Sequence, residues 1–149
     1  MAGGLSAAML VGLFGASPRA APRDPFAYKM QITPEDGSVD PAIDRRHTTT
    51  FAACQRRAVS TPDNANCFEA EFVRQDVVLN RTWKATLDRL PVAEHKPLIE
   101  AQRKWVAARD PFCKDRSDEF SGGSIAPIIY VDCRVELTIR RSIWLEHLR

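Results

Sequence analysis

The sequence predicts an all-α fold: a small disulfide-stabilised bundle of three long helices plus a shorter leading helix. Apolar residues recur at three- and four-residue intervals over most of the chain after residue 40. No segment alternates with period two for long enough to form a sheet. A chain of 149 residues, 44% of them hydrophobic, is long enough to bury one core.

The amino-terminal residues resemble an export signal. Residues 1–21 contain the uncharged run Leu5–Ala16, which is too short to span a membrane but typical of the apolar region of a signal peptide. No Lys or Arg precedes Leu5, so a disordered leader or a retained amphipathic anchor are the alternatives. Residues 22–41 contain four prolines and are expected to form a flexible linker before a helical domain over residues 42–149.

The shorter leading helix is predicted to begin at Asp40-Pro41, which has the order of an N-cap followed by proline at the first helical position. Its apolar stripe would comprise Ile43, His47, Phe51, Cys54 and Ala58. The first long helix is predicted from Thr61 as N-cap and Pro62, and ends before Pro91. Its stripe comprises Phe68, Phe72, Leu79, Trp83, Leu87 and Leu90.

The second long helix is predicted to run from about Pro97 to Arg116, with Leu98, Trp105 and Phe112 facing the core. The last helix, about 24 residues after a cap at Ser124, is apolar on two sides. One side carries Ile125, Ile129, Val135, Ile139 and Ile143, and the other carries Tyr130, Leu137, Trp144 and Leu148. Such a helix either lies at the centre of the bundle or offers one side to a partner; the central position is favoured.

Four cysteines behind an apparent export signal predict disulfides and a periplasmic or secreted location. Three pairings are possible, and the most economical one joins Cys54 to Cys67 and Cys113 to Cys133. The spacings of 13, 46 and 20 residues contain no CxxC pair. A zinc site is therefore not expected.

No catalytic signature is present. The sequence lacks GxSxG, HExxH, GxGxxG and GxxxxGK[ST], and its three histidines, His47, His95 and His147, have no ligand-type neighbours at metal-binding spacing. The net charge of +2 is too small and too dispersed for a nucleic-acid binder. We therefore expect a protein that is not an enzyme, has no catalytic residues, metal or cofactor, binds no nucleic acid, and is not stably inserted in a membrane after signal cleavage.

Asp76 falls on the apolar stripe of the first long helix, between Phe72 and Leu87 in helical angle. A buried carboxylate requires a cation, and Arg109 and Arg141 are the inward-facing candidates. We expect a structural polar cluster rather than a binding site. Its members would be Asp76, Asn80, Gln102, Arg109 and Arg141.

Three segments resemble a known family. They are LNRTWKATL…LIEAQRKWVAARDPFC (79–113), GGSIAP (122–127) and CRVELTIRR (133–141), and they are similar to the lysozyme inhibitor LprI amino-terminal-like domain of bacterial exported proteins. The similarity extends upstream through Asp76 to Cys54. The resemblance implies a framework of disulfides and core residues rather than a catalytic set.

The resemblance also implies a function. We expect an exported protein that binds a lysozyme or another cell-wall hydrolase and occludes its cleft. The polar segment at residues 115–124 is the candidate partner-binding loop, and its acids would meet the basic surface common to lysozymes. Its residues are Asp115, Asp118, Glu119, Phe120, Gly122, Gly123 and Ser124. The alternative is a non-inhibitory structural or accessory envelope module that binds a partner through the last helix.

Overall fold

The computed structural model describes residues 40–149, and the part of the chain it describes is all-α. In chain order the helices are α1 (Pro41–Asp44), α2 (Thr49–Gln55), α3 (Thr61–Arg89), α4 (Val92–Asp118) and α5 (Ala126–His147). The predicted class, three long helices in a small disulfide-stabilised bundle, is confirmed. The predicted signal peptide and nearly all of the predicted linker lie outside the described residues.

The leading helix differs from the prediction because it divides into two. Asp40 caps α1 as expected, accepting a hydrogen bond from the Ala42 amide at 2.8 Å. The chain then leaves the helix, and Thr48 starts α2 by accepting from the Phe51 amide at 3.0 Å. Because the Thr48 hydroxyl caps a new helix, the backbone has an alternative to continuing α1. The spacing of the apolar residues did not predict this break.

The long helices also begin and end at positions other than those predicted. Ser60, not Thr61, is the N-cap of α3 and forms a capping box with Asp63. Helix α4 begins five residues before Pro97 and continues through Pro111. Its first turn is held by the hydrogen bond from the Glu94 amide to the Pro91 carbonyl and by His95, whose Nε2 lies 3.0 Å from the Leu90 carbonyl oxygen. Each proline removes one helical N–H, and the remaining turns tolerate the loss.

Helix α5 occupies the centre of the bundle, and α3 and α4 both pack on it. On one side, Val135 and Ile139 of α5 pack with Ile43 and Phe72. On the other side, Leu137 and Leu145 pack with residues of α3 and α4 that include Leu79, Leu98 and Trp105. The central position is therefore confirmed. Residues from both apolar sides of α5 pack within the fold, although Ile125, just before its first turn, remains exposed.

Two disulfides join neighbouring elements with the expected pairing. Cys54 and Cys67 link α2 to α3, and Cys113 and Cys133 link α4 to α5. Closing loops of this length stabilises a fold by about 3 kcal/mol each in the chain-entropy account. The second disulfide is buried within the larger apolar cluster. It therefore also fixes the orientation of α4 and α5 on either side of the loop that joins them.

Candidate functional site

The segment between α4 and α5 is shorter than the predicted partner-binding loop. Asp115 and Asp118 lie in the last turn of α4, so the loop proper covers residues 119–125. Both carboxylate oxygens of Asp118 accept a hydrogen bond from the Lys114 ammonium group at 2.6 Å. The two residues are four positions apart, a spacing at which opposite charges pair on one helix. Ser124 does not cap α5; the N-cap position is occupied by Ile125, without a side-chain hydrogen bond.

The loop is built from consecutive tight turns. The amides of Phe120, Ser121 and Gly123 donate to the carbonyls of Ser117, Asp118 and Phe120 at 3.0–3.1 Å. Gly122 has φ of +85°, a conformation that side-chain-bearing residues rarely adopt. A glycine at this position therefore allows the chain to reverse without strain.

Both ends of the loop are fixed to the bundle. The Cys113–Cys133 disulfide ties the helices that flank it, and the Ser117 hydroxyl donates to the Ala126 carbonyl at 2.9 Å across its base. Phe120 and Ile125 are large apolar residues that nevertheless remain exposed, and Glu119 is exposed beside them. The result is a rigidly held loop that presents an aromatic ring and a carboxylate to solvent.

The structure brings the residues of the predicted polar cluster together as two groups. Asp76 lies 3.5 Å from Nη1 of Arg109 and accepts from the Asn80 amide at 3.3 Å. Separately, Arg141 donates through Nε to the Gln102 side chain at 2.8 Å. Arg141 is fully buried and lies over the rings of Trp105 and Trp144. Gln102 therefore serves Arg141 and does not complete the hydrogen bonds of Asp76.

The prediction that Asp76 is a buried carboxylate is wrong. Its side chain is 44% exposed, whereas that of Arg109 is 9% exposed. Asp76 lies at the flank of α3 that faces α4, where Arg109 covers one side of the carboxylate and solvent reaches the other. The buried member of this pair is the cation, which also lies 4.7 Å from the centre of the Phe72 ring and donates to Thr138.

The buried carboxylate of α3 is instead Glu71, which the sequence analysis did not identify. Glu71 is fully buried and accepts from the amide and hydroxyl of Thr48 at 2.9 and 2.6 Å. It also accepts from Arg74 at 2.8 Å and from Gln75 at 2.7 Å. Burial alone would raise the pKa of Glu71, but the nearby His47, whose Nδ1 lies 3.8 Å away, and the hydrogen bonds from Thr48 and Gln75 outweigh that effect and hold the pKa well below its usual range.

A signal for Glu71 exists in the sequence. Cys67, Glu71 and Gln75 follow each other at intervals of four residues and therefore share one face of α3. Cys67 is bonded to Cys54, so this face is the one that meets α2. The expected disulfide pairing could thus have located the buried acid.

A second acid has a perturbed pKa. Asp132, on α5, is largely enclosed, and burial raises its pKa to about 6, with a further rise from the nearby charge of Glu136. The charges of His47 and Arg116 act in the opposite direction. Unlike Glu71, Asp132 receives no hydrogen bond among the described residues that would favour its ionised form.

Arg134 is a further residue that the sequence analysis missed. Its guanidinium lies 3.8 Å from the centre of the Phe72 ring, and its nitrogens lie 3.4 Å from Asp110 and 3.5 Å from Glu69. Arg134 thereby joins α5 to both α3 and α4. A sequence pattern does not reveal such a contact because its three acidic and aromatic partners come from two other helices.

Within residues 40–149, no group of three or more His, Cys, Asp or Glu side chains is arranged to hold a metal ion. None of the described helices is long and apolar enough to cross a membrane. The histidines make local contacts: His47 stacks on Phe51, His95 contacts the Leu90 carbonyl in the first turn of α4, and His147 contacts the Ile143 carbonyl in the last turn of α5.

These features define a small disulfide-bonded helical protein with an exposed loop between α4 and α5 whose two ends are tied to the bundle. The family model of lysozyme inhibitor LprI matches residues 53–145, and the chain belongs to that family. The matched region covers both disulfides, α3, α4, the loop and all but the last two residues of α5.

One curated relative and the solved structures complete the comparison. An uncharacterized protein of Rhizobium meliloti (strain 1021) is 28% identical over 106 residues, which cover 62% of this chain and 76% of that protein. No solved structure matches the chain significantly. The family assignment thus rests on the match to the family model, and no solved structure provides a geometry for comparison.

Proposed function

We propose that this protein is an exported, non-enzymatic binding protein that binds a lysozyme and occludes its cleft through the α4–α5 loop. Membership of the lysozyme inhibitor LprI family supports the class of partner. The two disulfides are consistent with an oxidising compartment outside the cytoplasm. Residues 1–21 would supply the export signal.

The observation that carries the proposal is Phe120, an exposed aromatic residue on a loop whose two ends are fixed. Aromatic side chains are enriched at the centres of protein interfaces. A loop held in place before binding loses little conformational entropy when the complex forms. The disulfide and the Ser117–Ala126 hydrogen bond provide that preorganisation.

We expect the charge of the loop to contribute less to lysozyme binding than its shape. Glu119, which precedes Phe120, and Asp115, in the last turn of α4, are exposed, whereas Asp118 is paired with Lys114. The whole chain has a formal charge of +2, so long-range attraction to a basic lysozyme is weak. We therefore expect association with ordinary rather than electrostatically accelerated rates, and an affinity that changes little with salt.

The test measures lysozyme binding and inhibition by the purified mature protein. Chicken-type lysozyme would be titrated by calorimetry, and lysis of a cell-wall suspension would be followed in parallel. The expected result is binding at micromolar or lower concentration with inhibition at a near-stoichiometric ratio. Phe120→Ala is expected to weaken binding at least tenfold, which corresponds to about 1.4 kcal/mol.

A matched control is Val92→Ala. Val92 is exposed at the opposite end of α4, about 40 Å from the loop at 1.5 Å per residue. It is expected to change neither binding nor inhibition. Absence of wild-type binding at micromolar concentrations contradicts the function, whereas binding that survives Phe120→Ala contradicts the loop as its site.

A further inference from the structure

A surface pocket adjoins the disulfide that joins α2 to α3. The pocket has a volume of about 230 Å³, and both Cys54 and Cys67 belong to its lining. The other lining residues are Arg57, Ala58, Asp63 and Asn66. We refer to it as the disulfide pocket. A pocket of this size holds several water molecules, so a small solute can enter it.

The two disulfides differ in how far solvent reaches them. Cys54 is half-buried, whereas Cys67, Cys113 and Cys133 are 2%, 0% and 3% exposed. Cys113 and Cys133 also belong to the larger apolar cluster, while the other two cysteines belong to neither cluster. A solute can therefore reach the first disulfide, at Cys54, while the bundle stays folded. The second disulfide becomes accessible only when the core opens.

The charges of the disulfide pocket favour an approaching thiolate. Arg57 is exposed and supplies the cation of the lining. The acid of the lining, Asp63, caps its own helix: its Oδ2 accepts from the Ser60 hydroxyl at 2.7 Å and from the amides of Ser60 and Val59 at 3.1 and 3.3 Å. Because a neighbouring cation stabilises a thiolate, Arg57 would assist both the attacking and the leaving sulfur.

We propose that Cys54 is a modification site, at which a small thiol enters the disulfide pocket and exchanges with the Cys54–Cys67 disulfide. The thiolate of the reagent attacks Sγ of Cys54 and forms a mixed disulfide there, and Cys67 leaves as a thiolate that takes a proton from water. A second thiolate then attacks the reagent sulfur of the mixed disulfide. The two reagent molecules are thereby oxidised to their disulfide, and both cysteines are reduced to thiols.

Other contacts between the α2 segment and α3 do not depend on this disulfide. The Thr48 hydroxyl donates to Glu71 at 2.6 Å, and the ring centres of Phe51 and Phe68 lie 4.9 Å apart. We therefore expect the exchange to produce a folded intermediate that retains the second disulfide. Opening of the whole bundle would instead expose both disulfides at once, so this intermediate distinguishes local exchange from reduction after unfolding.

The experiment treats the mature protein with reduced glutathione at about pH 8, where thiols are partly ionised. Samples are quenched with N-ethylmaleimide in guanidinium chloride and digested with trypsin, which places the four cysteines in four different peptides. At early times we expect glutathione on Cys54 and N-ethylmaleimide on Cys67, formed at least tenfold faster than any modification of Cys113 or Cys133. Equal rates at the two disulfides, or no glutathione on Cys54, overturns the proposal.

Two adjacent arginines provide matched variants. Arg57→Gln removes the cation of the disulfide pocket, and we expect it to slow the addition of glutathione to Cys54 about threefold, as for other exposed charge interactions. Arg56→Gln makes the same change at an exposed residue outside the lining and is expected to leave the rate unchanged. Equal rates for the two variants would overturn the proposal, because the reaction would then not proceed through the disulfide pocket.

Discussion

Glu71 and Asp76 are five residues apart on α3, yet only Glu71 is buried. Helix α2 and the turn before it cover the flank that carries Glu71, and Thr48 supplies two hydrogen bonds there. The side chain of Asp76 is 44% exposed, and Arg109 contacts its carboxylate there. The energetic consequence of losing each charge should therefore differ, because a buried and hydrogen-bonded carboxylate contributes far more than a half-exposed one.

Glu71→Gln is expected to lower the free energy of unfolding by about 3 kcal/mol at pH 7, since a buried charged partner is removed and an amide donor faces the donors of Thr48 and Gln75. The pKa of Glu71 is lowered in the folded state, so its stabilisation is present above about pH 4.5 and is lost as the pH falls below that value. Urea unfolding at pH 7 and pH 3.5 should show a smaller difference between variant and wild type at the lower pH.

The matched control is Asp76→Asn, which is expected to cost less than about 1 kcal/mol because solvent screens its ion pair with Arg109. Equal losses for the two variants would contradict the difference in burial.

Asp132→Asn is expected to stabilise the protein at neutral pH. The ordinary pKa of 3.8 rises to about 6 in the folded state, so between these values the folded state holds a proton that the unfolded state has lost. The free energy of unfolding therefore falls by about 2–3 kcal/mol as the pH rises through this interval. Thermal unfolding should show the variant to be more stable than wild type at pH 7.5 and nearly equal to it at pH 4. A difference that does not change with pH would contradict the raised pKa.

At the scale of elements, the start of α3 shows how one residue decides where a helix begins. Ser60 and Thr61 are both acceptable N-caps, and each precedes Pro62. The structure selects Ser60 because Asp63 then lies at the third helical position and completes a capping box. The pattern of cap followed directly by proline favoured Thr61 and overlooked this reciprocal pair.

Ser60→Ala is expected to lower stability by about 1 kcal/mol, because the Asp63 amide loses its acceptor. Thr61→Ala is expected to have little effect, since Thr61 lies inside the first turn. The midpoints of chemical unfolding for the two variants provide the measurement. A larger loss for Thr61→Ala would place the cap one residue later.

At the scale of the whole molecule, α5 links two apolar clusters into one folding unit. The three tryptophans, Trp83, Trp105 and Trp144, all belong to the cluster that α5 forms with α3 and α4. Ile139 belongs to the other cluster, with Ile43, Phe72 and Val135. Since both clusters depend on the same helix, damage to one should destabilise the other.

Ile139→Ala is expected to lower the free energy of unfolding by about 3 kcal/mol, from lost burial and the cavity that remains. Tryptophan fluorescence and far-ultraviolet circular dichroism should report the same shifted transition, although Ile139 lies in the cluster without tryptophan. Ile125→Ala, at an exposed position, is the control and should leave the transition in place. Separate transitions for the two probes would mean that the clusters unfold independently.

The sequence by itself determined the local features of this protein. Spacing of apolar residues predicts the three long helices, the two-sided pattern of residues 125–148 predicts a central helix, and cysteine spacing predicts the two short-range disulfides. The motifs around AQRKWVAARDPFC predict the family. All of these depend on residues within a few turns of one another, where helical geometry alone sets which side chains share a face.

Only the tertiary structure decided which acid is buried, how the polar residues pair and where the loop begins. Glu71 is buried by a segment that precedes it by 23 positions, and Arg134 takes its partners from two other helices. The predicted cluster divides because Gln102 meets Arg141, while Asp76 meets Arg109 at the edge of the bundle. A helical angle gives the direction of a side chain but not how deeply neighbouring elements bury it. That burial depends on how the helices pack.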